Sequence, residues 1–271
     1  MESFDGKKPV VLVTGASRGI GLAVVKILLN ELNSRVIALS RTSNDALLAL
    51  AADHPSSLAV VLGDMLIPIT SKEAVKTASE QFGQLDGIIL NAGVLSPAGP
   101  VASATVESPP GSESDSWKSL FDVNFFSLIY TIQESLPKLR SSSAGGKIIM
   151  VSSGAAQKSY YGWGAYSASK AAMNSLARTL ATEEKDITTV ALRPGAVDTD
   201  MQATVRSSGD KMHPTDLKSF TDMHGNGKLV NPDDVGYVIA SLSLSAPKAL
   251  SGQFVSWDSE DCREHRRRVS G

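Results

Sequence analysis

The sequence predicts a single α/β domain with a mostly parallel, seven-stranded sheet covered by helices on both faces. Seven short apolar runs alternate with helical patterns, and a glycine-rich turn connects the first run to the first helical pattern. A chain of 271 residues with 42% hydrophobic content can bury one large core. No linker interrupts the alternation, so we expect one domain over residues 1–271 rather than two smaller ones.

Each predicted strand is a short apolar run. Pro9–Val13 comes first, and apolar residues then recur at helical spacing from Ile20 to Leu28. This alternation implies a parallel sheet whose ligand crevice lies at the carboxyl ends of the strands. The remaining six strands are predicted at residues 35–39, 58–62, 86–90, 147–151, 187–192 and 253–257.

Two patterns indicate where helices begin. The run Asn231–Asp234 is typical of a helix with proline at its first position, and Thr70 with Glu73 resembles a capping box. Longer helices are predicted around residues 117–139 and 165–181, and both carry apolar residues on more than one face. The second apolar face indicates either a subunit contact or extra burial within the monomer.

Composition excludes several classes of function. The net charge of -2 and the pI near 6.1 give no general attraction for nucleic acids or anionic membranes, and no apolar run is long enough to span a bilayer. The amino terminus lacks the order of a secretory signal and Cys262 is the single cysteine, so we expect a cytoplasmic protein without an intrachain disulfide. The basic tail at 263–271 raises the alternatives of nuclear targeting or polyanion contact, but we favour a short solvated terminus.

No metal site is predicted. The histidines lack ligand-like spacing with one another and with Cys262. Two of them, His213 and His224, lie in a polar region that would border the substrate, where an exposed loop histidine is the favoured interpretation. The four histidines are His54, His213, His224 and His265.

Three side chains predict a site for hydride transfer. Tyr166 and Lys170 stand four residues apart, so a helix would project both from one face, and Ser153 precedes them by a short loop. A phenol titrates near pH ~10 and a nearby ammonium lowers that value, so Lys170 would help Tyr166 act as a general acid. Ser153, with Ser152 as the alternative, would hold the carbonyl oxygen. A solvated helix face with aromatic packing is the structural alternative, because short motifs recur by chance.

The turn Thr14–Gly21 predicts a phosphate-binding loop between a strand and a helix. Gly15 would permit the tight turn, Gly19 would let backbone amides approach a pyrophosphate, and Gly21 would permit close packing of the helix start. The spacing Gly-x-x-x-Gly-x-Gly departs from the Gly-x-Gly-x-x-Gly fingerprint of dinucleotide-binding proteins. A turn that is rich in glycine for steric reasons alone is the alternative.

These motifs, together with Asn91–Gly93, Asn124 and Pro194–Gly195, occur in the order and at the intervals of the short-chain dehydrogenase/reductase superfamily, which the chain resembles over nearly its whole length. The runs Phe121–Ser127 and Val197–Gln202 are most similar to fungal carbonyl reductases related to benzil reductase and, more distantly, to sepiapterin reductase. The resemblance implies a Rossmann-type doubly wound fold, a nicotinamide cofactor, a small carbonyl substrate and a homodimer formed through the two long helices.

The resemblance also implies roles for single residues, each of which has a purely structural role as its alternative. Asn124, whose buried amide needs partners in any case, would hold a water that completes a proton relay from Tyr166 through the ribose hydroxyl and Lys170. Asp64 matches the residue that faces the adenine, and Thr199 matches the group that holds the nicotinamide carboxamide. The expected cofactor contacts are Gly15, Ser17, Arg18, Gly19, Ile20, Gly21, Arg41, Asp64, Asn91, Ala92, Gly93, Tyr166, Lys170, Pro194, Gly195, Val197 and Thr199.

The end of the second predicted strand indicates which nicotinamide cofactor binds. Ser40 occupies the position where an acidic residue would bind the ribose hydroxyls of NAD. Arg41 follows it and Arg18 lies within the glycine turn, so two guanidiniums would pair with a 2′-phosphate. One charged hydrogen bond contributes about 1.5–3 kcal/mol, enough to favour one cofactor by roughly 10–100-fold. We therefore predict NADP(H), with a plain surface charge as the alternative for Arg41.

The sequence defines the substrate less well. Tyr160, Tyr161 and Trp163 would form an aromatic wall suited to an apolar or aryl ketone or diketone, or would pack a loop or a subunit contact. A loop at about 199–228 is expected on the substrate side. The stretch 96–116, rich in Ser, Pro and Gly, is either a mobile rim or an accessory contact.

The sequence as a whole predicts an NADPH-dependent carbonyl reductase. One alternative is a catalytically weak NADP-binding redox sensor or scaffold, because a fold does not dictate activity. A more remote one is a nucleotide-sugar epimerase or dehydratase, which shares the Tyr-x-x-x-Lys pair but usually has a longer chain and a different glycine spacing. The direction of the reaction is not defined, because the same groups serve reduction and oxidation.

Overall fold

A computed structural model describes residues 6–109 and 115–267. Its seven strands form one sheet in the order β3-β2-β1-β4-β5-β6-β7, and every pairing is parallel. The Rossmann-type fold is therefore confirmed, and each strand lies within one residue of its predicted bounds. The strands are β1 Val10–Thr14, β2 Arg35–Ser40, β3 Leu58–Leu62, β4 Gly87–Leu90, β5 Lys147–Val151, β6 Thr188–Arg193 and β7 Phe254–Ser256.

Helices cover both faces of the sheet. Along β1, Val11 and Val13 point into one apolar core, which α1 and α9 complete, while Val10 and Leu12 point into the other, which α3, α5 and α6 complete. Because both faces are buried, the strands read as continuous apolar runs. The helices are α1 Gly19–Asn30, α2 Asp45–Asp53, α3 Pro68–Thr77, α4 Trp117–Phe121, α5 Ser127–Leu139, α6 Gly164–Glu183, α7 Asp200–Arg206, α8 Pro214–Gly225 and α9 Pro232–Ser245.

One predicted helix start is confirmed and one is wrong. α9 begins at Pro232, and the side chain of Asn231 accepts a hydrogen bond of 2.9 Å from the backbone N–H of Asp233. α3 begins earlier than its predicted capping box, at Pro68, which leaves Thr70 buried inside the first turn. Proline at the first helical position has its φ already fixed and needs no N–H partner, so it outweighs the weaker capping pattern.

The long helix predicted over residues 117–139 is interrupted. α4 and α5 are joined by a π-helical turn, Asp122–Phe126, and Asn124 lies inside that turn. Such turns are frequent at functional sites, because the extra residue redirects a side chain out of the regular helical ladder. The prediction for residues 165–181 is confirmed by α6.

The segment predicted as a substrate-side loop is largely helical. It contains α7, a 3-10 turn at Gly209–Lys211, and α8. Its two ends meet, because Val197 pairs with Val230 in a parallel bridge and the N–H of Asp198 donates to the Val230 carbonyl at 2.9 Å. We call residues 199–229 the cap.

The stretch 96–116 lies against the loop that precedes α6. The N–H of Gly99 donates to the carbonyl of Gly162 at 2.8 Å, and a 3-10 turn follows at Val101–Ser103. A Cβ at Gly162 would lie only 1.9 Å from the Lys211 carbonyl oxygen of the cap. The described part of the stretch therefore lies at the edge of the cap, and its role as a mobile rim or an accessory contact stays a prediction; residues 110–114 lie outside the described part of the chain.

In the described part of the basic tail, Arg263, Glu264 and Arg267 are exposed, in line with a solvated terminus, but two side chains also contact the domain. Arg267 donates two hydrogen bonds to the carboxylate of Glu31, at 2.7 and 3.1 Å. His265 is buried and lies 2.9 Å from the hydroxyl of Ser241 on α9. Residues 268–271 lie outside the description. None of the helices described is long and apolar enough to cross a bilayer.

Candidate active site

The structure brings Ser153, Tyr166 and Lys170 together at the carboxyl edge of the sheet. Tyr166 and Lys170 lie one turn apart on α6, with Lys170 Nζ 5.8 Å from the centre of the Tyr166 ring. Ser153 follows β5, where its Oγ accepts the N–H of Ala155 at 3.1 Å, and its side chain lies close enough to that of Tyr166 to influence the pKa of the phenol. The two hydroxyl-bearing side chains therefore converge, as the spacing in the sequence predicts.

The neighbouring serine is committed to a different contact. The hydroxyl of Ser152 donates to Oδ1 of Asn174 at 2.6 Å, and both side chains are buried. This bond ties the end of β5 to α6. Ser152 is thus a structural residue, which leaves Ser153 as the serine beside Tyr166.

Lys170 is buried, with 4% of its surface exposed, and its Nζ donates to the Val151 carbonyl at 2.8 Å. Burial penalises the ammonium form and lowers the pKa of Lys170 from 10.5 to about 8. The side chain is therefore still mostly charged at neutral pH, and it titrates in the weakly alkaline range.

The phenol of Tyr166 is shifted in the direction opposite to the expected one. Burial raises its pKa above the ordinary value of 10.0, and the neighbouring Ser153 side chain opposes this effect without reversing it. The phenol is therefore neutral near pH 7, which is the form that can give up a proton. The expected lowering of the Tyr166 pKa is therefore wrong, because burial outweighs the interactions that favour the phenolate.

The amide of Asn124 is bonded on both sides. Its Oδ1 accepts the N–H of Val94 at 2.8 Å, and its Nδ2 donates to the Val94 carbonyl at 2.8 Å and to the Ser169 hydroxyl at 3.2 Å. A Cβ at Gly93 would lie 3.3 Å from Asn124 Oδ1 and 3.6 Å from Lys170 Nζ, so the amide and the lysine flank the same glycine. The structural role of Asn124 is therefore confirmed, and its part in a proton relay stays a prediction.

The glycine turn ends where α1 begins, at Gly19. Within the described residues no side chain caps this helix and its first turn contains no acidic residue, so its backbone N–H groups are free to bind an anion. Gly15 has a φ of +66°, and a Cβ at Gly21 would lie 2.2 Å from the Gly15 carbonyl oxygen. The glycine turn and the start of α1 can pack this closely only because Gly21 has no Cβ. This close packing suits a site in which backbone N–H groups bind phosphates.

Asn91 fastens this turn to the centre of the sheet. Its Nδ2 donates to the carbonyls of Thr14 and Gly15 at 3.0 and 3.2 Å. The Thr14 hydroxyl accepts the N–H groups of Asn91 and Ala92 at 3.0 and 3.2 Å. These bonds join the ends of β1 and β4, the point where the strand order reverses and where ligands bind in open α/β sheets.

Two further predicted segments reach the same edge. A Cβ at Gly19 would lie 3.1 Å from the Thr199 methyl group, so the start of the cap touches the glycine turn. Gly195 has a φ of +79° and a Cβ there would meet Val230 at 3.1 Å, so the chain after β6 must turn tightly at this glycine. Asp64, after β3, accepts the N–H of Leu66 at 2.9 Å.

The two arginines predicted to select NADP are both exposed. Arg18 pairs with Asp200, the first residue of α7, at 3.3 Å, although both side chains are about three-quarters exposed. Arg41 follows β2, and the buried Ser40 hydroxyl donates to the Thr42 carbonyl at 3.0 Å. Arg18 thus has a partner in the cap that sequence spacing did not reveal, and the convergence of both guanidiniums on a phosphate stays a prediction.

Only part of the predicted aromatic wall is assembled. Trp163, which is 5% exposed, packs on Tyr160 at a centroid distance of 4.7 Å and edge-on against Tyr166 at 5.8 Å and 82°. Its stacking partner is Phe220 of α8, at 5.6 Å and 24°. Tyr161 is 51% exposed and makes no ring contact with this group, so its predicted place in the wall stays a prediction. We call Tyr160, Trp163, Tyr166 and Phe220 the aromatic cluster.

Sequence reasoning missed Phe220, although a signal was present. Leu217, Phe220 and Met223 recur every three residues on α8, and Leu217 and Met223 pack against the same apolar core that contains Phe220. His213 and His224, at the two ends of this helix, are exposed as expected. Within the described residues, no group of three or more His, Cys, Asp or Glu side chains could hold a metal ion.

Comparisons with known proteins agree with this geometry. A profile of the family described as short chain dehydrogenase matches residues 9–210. An uncharacterized oxidoreductase of Schizosaccharomyces pombe is 40% identical over 252 residues, which cover 92% of this chain and 96% of that protein. A benzil reductase ((S)-benzoin forming) of Saccharomyces cerevisiae is 35% identical over 260 residues, 93% of this chain and 96% of that one. The crystal structure of a short chain dehydrogenase/reductase from Saccharomyces cerevisiae has a TM-score of 0.86 and 33% identity, covering 96% of this chain and all of the other.

Proposed function

This chain belongs to the short-chain dehydrogenase/reductase family, and we propose that it is an NADPH-dependent carbonyl reductase acting on a ketone, diketone or aldehyde. The observation that carries the proposal is the convergence of the Ser153 and Tyr166 side chains beside Lys170, at the edge of the sheet that also holds the glycine turn. The relative named benzil reductase supports a diketone as one substrate.

Ser153 and Tyr166 act on one oxygen atom in the proposed reaction. The Ser153 hydroxyl donates a hydrogen bond to the substrate carbonyl, and Tyr166 transfers its proton to the same oxygen, which becomes the alcohol hydroxyl. A bound reduced nicotinamide supplies the hydride to the carbonyl carbon. The raised pKa of Tyr166 supports this role, because the phenol is protonated and ready to donate near neutral pH.

Lys170 then stabilises the phenolate that Tyr166 leaves behind. An ammonium 5.8 Å from the ring centre is close enough to favour the anion electrostatically. The hydrogen bond to the Val151 carbonyl holds the Lys170 amine in place. The proton returns to Tyr166 by the relay that the sequence analysis predicts, with Asn124 positioned against the glycine that borders Lys170.

The glycine turn is the proposed site for the cofactor diphosphate, because the free N–H groups at the start of α1 are suitable donors to phosphate oxygens. Arg18 and Arg41 would bind the 2′-phosphate that distinguishes NADPH, and Ser40 offers no carboxylate to repel it. Comparison of kcat/KM and of Kd for NADPH and NADH tests this choice. A marked preference for NADH would reject it.

We also expect a cytoplasmic homodimer. Phe126, in the π-helical turn before α5, is 44% exposed and lies between the two helices of the segment through which the resemblance implies a dimer. Light scattering on the purified protein should give twice the mass of one chain, and a monomer at micromolar concentration would reject the dimer.

The central test is the substitution Tyr166→Phe. The variant should fold and bind NADPH but lose nearly all turnover with diketones, because it keeps the ring and removes the proton donor. Tyr237→Phe is the matched control, because it removes a phenol hydroxyl from α9, on the opposite face of the sheet. Unimpaired reduction by Tyr166→Phe would end the assignment. NADPH binding without reduction of any diketone or aldehyde by the wild type would favour a redox sensor or scaffold.

A further inference from the structure

We propose that Phe220 is a specificity-determining residue, whose ring occupies the place on Trp163 that an aryl substituent of the substrate takes. The inference rests on the proposed function and deepens it, because it names the substrate class and the side chain that the substrate must displace. The substrates so defined are ketones or α-diketones with an aromatic ring next to the reacting carbonyl.

The first observation is the geometry of the stack. Phe220 lies nearly parallel to Trp163, at 5.6 Å and 24°, and 5.9 Å from Tyr160. Trp163 in turn meets the catalytic Tyr166 edge-on. A flat ring seated where Phe220 lies would therefore be one aromatic neighbour away from the phenol that protonates the carbonyl.

The second observation is how the cap covers that phenol. Tyr166 is buried in one apolar cluster with the cap residues Val205, Met212 and Phe220, all of which are themselves buried. A bulky substrate that approaches Tyr166 from the side of the cap would therefore displace these cap side chains. Phe220 is the only phenylalanine, tyrosine or tryptophan in residues 199–229, so it is the cap residue whose stacking an aryl group can replace in kind.

The third observation is that α8 has one buried anchor. Phe220 is the only buried residue that this helix has. The Val197–Val230 bridge joins the two ends of the cap, and it need not change when Phe220 moves. Exchange of Phe220 for a substrate ring would thus free α8 without unfolding the rest of the cap.

A fourth observation concerns the polar edge of Trp163. Its Nε1 is buried and has no hydrogen-bond partner among the described residues. An indole N–H can only donate, and a buried donor without an acceptor is unfavourable. The second carbonyl of an α-diketone is an acceptor of the kind that this N–H lacks.

The experiment compares two diketones in variants of α8. For benzil, which carries two aryl groups, and 2,3-butanedione, which carries none, the ratio of kcat/KM values is measured in the wild type, Phe220→Ala, Phe220→Leu and the control Ser219→Ala. Ser219 is the exposed neighbour on the same helix. The Kd of each protein for benzil is measured separately by tryptophan fluorescence, so that binding is determined independently of turnover.

Phe220→Ala leaves the place on Trp163 vacant, so the benzil-to-butanedione ratio should rise by about tenfold, equivalent to about 1.4 kcal/mol, and the Kd for benzil should fall. Phe220→Leu, which keeps apolar volume without a ring, should give a smaller rise, and Ser219→Ala should match the wild type. The inference would be overturned if both Phe220 variants kept the wild-type ratio and Kd, or if kcat/KM fell equally for both diketones. Reduction of the diketones by the wild type would still uphold the proposed function in that case. If Phe220→Ala bound benzil more tightly than the wild type but neither protein reduced either diketone, the inference about Phe220 would stand and the proposed function would fail.

Discussion

Replacing Lys170 by methionine should separate catalysis from stability. Methionine has about the length of the lysine stem and no charge, so Lys170→Met keeps the packing within α6 and removes a buried ammonium. The proposed mechanism predicts that turnover falls, because no cation remains to stabilise the Tyr166 phenolate. The same change should also remove the free-energy penalty of burying an ammonium, which destabilises the folded protein at neutral pH.

The magnitude follows from the pKa of Lys170, which burial lowers from 10.5 to about 8. Below pH 8 the lysine is protonated in both folded and unfolded chains, and the folded state bears the whole penalty of about 3 kcal/mol. As the pH rises from 8 to 10.5, the folded state releases its proton while the unfolded chain keeps it, so wild-type stability increases. Relative to Lys170→Met, the wild type should gain about 2.5 kcal/mol between about pH 7 and pH 10.

Urea unfolding of both proteins at several pH values in this range measures the difference directly. In Lys170→Met, loss of the hydrogen bond to the Val151 carbonyl lowers the free energy of unfolding by about 1 kcal/mol at every pH, so it does not change the slope with pH. Lys218→Met is the control, because Lys218 is 73% exposed on α8 and its removal should leave the pH dependence of stability as in the wild type. If the free energies of unfolding of wild type and Lys170→Met ran parallel from neutral to alkaline pH, the argument from burial would be refuted.

Three other substitutions test the frame of the site. Asn124→Ala removes three hydrogen bonds of 2.8–3.2 Å and should lower the free energy of unfolding by about 2–4 kcal/mol; a loss below about 1 kcal/mol in urea unfolding would show that water replaces the amide. Gly21→Ala places a Cβ 2.2 Å from the Gly15 carbonyl oxygen, so NADPH binding measured by fluorescence should weaken strongly, whereas Gly225→Ala, with open space around its Cβ, should bind as the wild type does. Arg41→Glu should weaken NADPH binding by roughly 10–100-fold and NADH binding far less; equal losses for both cofactors would contradict the role of Arg41 at the 2′-phosphate.

The sheet was predictable because parallel strands covered on both faces are short apolar runs with little else in them. All five residues of β5 are buried, and its bounds match the prediction. Helix boundaries were harder to predict when two local signals compete. At the start of α3, proline at position 68 and the capping pattern at Thr70 both indicate a beginning, and the covalent restriction on φ prevails over a side-chain hydrogen bond.

The site was predictable where its members are close in sequence and obscure where they are distant. Tyr166 and Lys170 share a helix face through a four-residue spacing that any helix enforces. Phe220 reaches Trp163 only because the cap folds back over α6, and Arg18 meets Asp200 across 182 positions. Helical periodicity gives the apolar face of α8 but not the surface that it covers, so no local pattern could pair these residues.

In the proposed mechanism, the protonation states of Tyr166 and Lys170 favour reduction near neutral pH. Oxidation of an alcohol needs Tyr166 as the phenolate, and burial raises its pKa, so that form is scarce at pH 7. Reduction needs the neutral phenol and an ammonium at Lys170, and the ammonium is lost as the pH rises through about 8. The rate of ketone reduction should therefore fall above that pH while the rate of alcohol oxidation rises until the loss of the ammonium opposes it. Initial rates in both directions across this range test the assignment, and a reduction rate that climbs steadily through the pKa of Lys170 would contradict a role for its charge.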